Sequence, residues 1–231
     1  MTLTTAQIDE RIKRYRSALE GASANLMAFE GDDAREVVHA APLQGTTAKR
    51  IADAERVLGE LWEDFGLFRA HVDRLTELRG TGRLPGNRVE ELDRLLTTAA
   101  IALPPDDVPL ATRGLLDPAT TANSISADDL LANMVKAFDT AKRDILSIDE
   151  TWKTMLPALD NVTEQMTRLE HLADDVGGAP RNALADLQRA TSALRAKVIE
   201  DPLGVSPTAL TDLQTQVRTL VDDLDAQRSQ R

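Results

Sequence analysis

The chain contains no cysteine, which excludes disulfides and thiolate metal sites and fits a reducing compartment. Aromatic residues are scarce, 3% of the sequence, and none follows Trp152, so any core formed beyond that point is aliphatic. The three histidines fall at His39, in a segment read as loop, and at His71 and His171 on helix positions g and f; none is expected to point into a core. Long apolar runs are missing throughout, and the opening MTLTTAQIDERIKRYR has no apolar stretch behind its basic residues. Neither a membrane span nor a leader is expected, and the chain reads as soluble and cytoplasmic. Basic residues are outnumbered, 27 against 38 acidic, for a formal net charge of −11. A phosphate backbone would be repelled, so nucleic acid is not an expected partner.

What is abundant is apolar periodicity. From Leu131 the residues Met134, Phe138, Ala141, Ile145, Ile148, Trp152, Met155, Leu159, Val162, Met166, Leu169, Ala173 and Val176 recur at alternating spacings of three and four. Such a stripe specifies one long helix, about 126–176, laid along others in a heptad pattern. Pro157 interrupts the composition but not the phase, and it falls on the outermost face, so a bent helix is expected there rather than a broken one.

The same spacing marks helices at 5–30, 47–79, 87–100, 180–200 and 207–228. Thr4 or Thr5 caps the first, and Ser206 the last, with Pro207 at its first position. Short turns make neighbours antiparallel. The expected fold is therefore all-α: an elongated antiparallel helical bundle with coiled-coil packing. Residues 1–156 form a larger N-terminal bundle, and residues 157–231 a C-terminal three-helix bundle that shares the long helix. One segment resists a helix, residues 101–125, where Pro104, Pro105, Pro109 and Pro118 stand among apolar residues.

A search for chemistry finds little. Glu36-Val37-Val38-His39 is the only Glu-x-x-His pair, where a di-iron bundle needs two with further inward glutamates. Gly45-Thr46-Thr47-Ala48-Lys49 lacks the upstream glycine and preceding strand of a phosphate loop. The acidic pairs, Asp128-Asp129 among them, suit helix N-termini and solvated faces rather than calcium loops. The basic cluster Arg11, Lys13, Arg14 and Arg16 is interleaved with Asp9, Glu10 and Glu20 and reads as a solvated face. No catalytic residue, cofactor or metal is expected.

The functional expectation is a non-enzymatic scaffold or adaptor whose partner is a protein, a second copy of the chain included. Contact residues would be apolar positions off the main stripes, Leu67, Leu78 and Leu95. To these are added Val108, Leu110, Arg113, Leu115 and Leu116 of the proline-rich segment, which reads as a strap over its own bundle or as a docking motif. A membrane-surface or polar-scaffold coiled coil is the alternative, and a helical-bundle enzyme or metal protein a second. Arginine outnumbers lysine, and alanine, aspartate, leucine and threonine abound, a composition associated with high-GC bacteria.

Overall fold

The computed structural model describes residues 2–103, 123–176 and 178–229. The class is all-α. The helices are α1 (Thr5–Glu30), α2 (Asp33–Ala40), α3 (Gly45–Arg79), α4 (Gly86–Thr97), α5 (Ala127–Val176), α6 (Gly178–Glu200) and α7 (Ala209–Ser229). Two short strands, β1 (Ile101–Leu103) and β2 (Asn123–Ile125), pair antiparallel with Ile101 opposite Ile125. Thr4 is the cap of α1: its hydroxyl accepts from the Gln7 N–H, while the Gln7 side chain accepts from the Thr4 N–H at 2.9 Å. Ser126 does the same for α5, accepting from the Asp129 N–H at 3.1 Å. The helix it starts runs unbroken through Pro157, whose ring is exposed, so the missing N–H lies at the water side.

Two features lie outside the sequence expectation. Helix α2 occupies part of a stretch read as loop; it is 8 residues long, too short for periodicity to register, and is held by the Asp32 cap and by buried Ala34 and Val38. The strand pair likewise joins the two ends of a segment read as irregular.

The described residues divide into two compact units, the first comprising Met1–Gly31 with Glu55–Lys142 and the second Asp32–Ala54 with Arg143–Arg231. This differs from a boundary at 156/157, and the reason is visible in the side chains. Trp152, just before that boundary, donates its indole N–H to the Val198 carbonyl of α6 at 2.9 Å. Thr47, near the start of α3, donates to the Ile199 and Glu200 carbonyls. Residues on the N-terminal side of the expected boundary therefore bond with α6.

In the first unit α1 runs antiparallel to α3: Asp9 pairs with Arg79, the Arg16 guanidinium donates to the Thr76 hydroxyl at 2.9 Å, and the Trp62 indole donates to Glu30 at 2.8 Å. Tyr15 and Phe68 meet edge to face between them, 5.6 Å apart. Leu92, Leu95 and Leu96 bury one face of α4, and Leu130 and Met134 bury the start of α5. His71 of α3 is 7% exposed; its expected place outside the core is corrected, because α4 covers that side of α3.

In the second unit α5 and α6 are antiparallel, with Asp174 paired to Arg181, Asp160 to Arg195, and the Thr191 hydroxyl against the Met166 sulfur at 3.9 Å. Ile145, Ile148, Leu159, Val162, Met166, Leu184, Val198, Val217, Leu220 and Leu224 form an aliphatic core around Trp152.

Two glycines of α3 make opposite predictions. Gly45 opens the helix at φ +54°, and a β-carbon there would collide with the Glu200 side chain. Gly45→Ala is expected to destabilise by about 1–2 kcal/mol from the left-handed backbone alone. Gly66 is exposed, mid-helix, and a β-carbon there meets nothing; Gly66→Ala is expected to stabilise by about 0.5–1 kcal/mol. Urea unfolding midpoints of the two variants, moving in opposite directions from wild type, check both.

Candidate contact surface

Among the described residues no three His, Asp or Glu side chains gather as metal ligands. The buried polar side chains are Thr47, His71, Asp149 and Thr191. Asp149 takes the Lys153 ammonium one turn along α5 at 2.8 Å, leaving its other oxygen without a partner. Thr191 bonds back to the Leu187 carbonyl at 2.8 Å. Burial, reinforced by Glu63 and Glu60, pushes the half-buried Asp64 carboxyl above its ordinary pKa. His39 and His171 are exposed on α2 and α5.

The surface of the first unit is more informative. Where α1, α3 and α5 meet, Ala22 and Leu26, Leu61 and Phe65, and Met134, Val135 and Phe138 line a cavity of about 80 Å³, edged by Asn25 and Asp139. Its shape follows from the sequence: Ala22 is too small to fill the space between the helices, and Leu26 lies one turn further along the same face. The volume is well below the roughly 300–1,000 Å³ of small-molecule pockets; one or two apolar side chains fit it. On the other flank of α1, an open groove against α3 is lined by Leu19, Phe65 and Val72 and by the charged Arg16, Glu20, Arg69 and Asp73. Phe65 belongs to both.

Two large apolar residues stand out in water beside these depressions. Val135 is 49% exposed at the cavity, and Met27 is 59% exposed along the groove. Single exposed apolar residues are ordinary; these two stand on the two flanks of α1, each beside a depression that reaches Phe65. Between α1 and α5, the Lys142 ammonium sits 5.5 Å from the Phe29 ring centre and 5.7 Å from that of Phe138, and the two rings meet edge to face. That stack fixes the α1–α5 spacing.

The residues nominated from sequence fare differently. Leu67 and Leu78 of α3 are half-buried. Leu95 is 2% exposed, and its place in an exposed patch is corrected: α4 lies against both α1 and α3, which demands a wider apolar face than the single stripe Val89, Leu92, Leu96 and Ala99. Val108, Leu110, Arg113, Leu115 and Leu116 lie outside the described residues. Trp62 is half-buried, edge to face with Phe65 at 5.8 Å. Met27 and Val135 carry the same signal that nominated Leu67, a large apolar residue adjacent to a stripe rather than in it, and were not singled out.

Truncations separate the two classes. Leu95→Ala is expected to cost about 2–5 kcal/mol, as a buried leucine does, whereas Met27→Ser and Val135→Ser are each expected to stay within about 0.5 kcal/mol of wild type. Chemical denaturation of the three variants reads the difference directly. Comparison of the chain with family models, with curated proteins and with solved structures gives no match, so the functional reading rests on this geometry.

Proposed function

We propose that the chain is a non-enzymatic helical scaffold or adaptor that works through protein–protein contacts, with heptad packing along α5 as its structural basis. The observation that carries the proposal is the pair of exposed apolar residues of the first unit, Met27 and Val135, beside the groove and the cavity that share Phe65. A side-chain-sized apolar cavity with an open groove of mixed lining nearby suits an anchor residue on a partner's helix. Support for the packing comes from burial along α5 at Ala141, Ile145, Ile148, Trp152, Leu159, Val162, Met166 and Ala173, spaced by threes and fours with two half-buried interruptions.

The negative charge of the chain weighs against nucleic acid. Among the described residues no helix is long and apolar enough to cross a membrane; a helical protein of this kind can still lie on a membrane surface, which is the competing reading. The cytoplasm is the compartment that the absence of cysteine fits.

The test compares the wild-type chain with a Met27→Asp/Val135→Asp variant, both immobilised and exposed to extract of the native cell, with retained proteins quantified by mass spectrometry. Circular dichroism and melting temperature should be equal for the two chains. The expected result is a protein retained by the wild type and lost from the variant. Equal retention by both chains contradicts the proposed surface, and co-sedimentation of the wild type with anionic phospholipid vesicles favours the membrane-surface reading instead.

A further inference from the structure

The C-terminus of α4 takes side-chain donors from α1 and α3. A helix leaves its last carbonyls without helical partners. At the end of α4 the Arg94 carbonyl accepts from the Thr98 N–H at 3.1 Å and from its hydroxyl at 2.7 Å, and the Leu96 carbonyl from the Arg11 guanidinium of α1 at 2.8 Å. The Leu95 carbonyl between them faces the imidazole of His71, which reaches it from α3. That imidazole is enclosed: the residue is 7% exposed, and its Nε2 has no hydrogen-bond partner.

We propose that His71 makes α4 a pH-responsive element, docked on α3 and α1 while the imidazole is neutral and released from them when it takes up a proton. The charged groups around it offer little to a buried cation. On its own helix Arg74 adds a like charge, and that guanidinium already holds the Glu91 carboxylate of α4 at 3.4 Å. From α4, Asp93 is engaged with the Leu3 N–H at 2.8 Å. From α1 come Arg11 at the Leu96 carbonyl and Arg16 at Thr76, both cationic. Only the Leu95 carbonyl favours the proton, and it is outweighed, first by burial and then by Arg74, so the His71 pKa is held below its ordinary value of 6.5.

The sign follows from linkage. The folded state binds the proton less tightly than the unfolded state does, so the stabilisation is complete above the ordinary value and is lost as pH falls below it. The loss is local, because the proton's cost is removed as soon as α4 lifts and water reaches the ring.

Hydrogen–deuterium exchange of the full chain at pH 7.5 and pH 5.5, with labelling times scaled for intrinsic chemistry, tests this. The protection of peptides from residues 86–97, referred to peptides of α6, is expected to fall on acidification by up to about tenfold per pH unit below the histidine value. His71→Gln, which cannot titrate, should show no such fall. Equal α4 protection at both pH values in the wild type overturns the proposal. Should the glutamine variant fail to fold, histidine-labelled wild type followed by NMR keeps the question answerable: titration of His71 below 6.5, in step with α4 exchange, is the expected result, and titration at or above that value overturns it.

Discussion

The second unit depends on how the covered end of α6 is satisfied. Its last four carbonyls are those of Lys197, Val198, Ile199 and Glu200: the first accepts from the Asp201 N–H at 2.8 Å, the second from the Trp152 indole at 2.9 Å, and the last two share the single hydroxyl proton of Thr47, whose oxygen lies 3.0 and 2.9 Å from them. Thr47 is fully buried. A buried helix end left open costs about 1–3 kcal/mol for each unpaired group, so the fold holds this place for a short donor from elsewhere in the chain. Thr47 supplies it from more than 150 residues away. Gly45, two residues earlier, adopts the left-handed conformation in the space beside Glu200, and α2 is carried into the same unit by the connection.

The first unit meets the end of α4 with Arg11, Thr98 and His71, which includes a titratable group where the second uses an alcohol and an indole. Both arrangements leave the apolar faces to do the bulk of the stabilisation, since burying a leucine or phenylalanine side chain contributes about 1.5–3 kcal/mol. The polar donors decide instead which helix ends can be covered. That division explains why α5 tolerates Pro157, which is exposed and away from any covered helix end.

Periodicity made the long helices legible. Ile8, Ile12 and Tyr15 in α1, or Leu213, Val217, Leu220 and Leu224 in α7, are buried as their spacing requires, because a helix with one covered face has only one register that hides its apolar residues. Where an element touches two neighbours the stripe widens and spacing stops discriminating, as with Leu95 and His71. At the start of α5, Leu130 is buried while Leu131 is half-buried, a shift of one residue that no pattern in the isolated stripe fixes. The candidate contact surface was the least legible part: Met27 and Val135 are apolar residues beside apolar stripes, and only the positions of neighbouring helices separate an exposed one from Leu95. Helix α2 and the strand pair carry too few residues for any period.

One buried hydroxyl, that of Thr47, closes the end of α6 and holds the first turns of α3 in the second unit. Thr47→Val removes the hydroxyl and keeps the volume, so amide exchange of the variant isolates its role. Faster exchange in residues 45–54 and 196–201 together, with a loss of about 1–3 kcal/mol in unfolding free energy, is the expected result. Exchange in both segments unchanged from wild type, at equal stability, would contradict it.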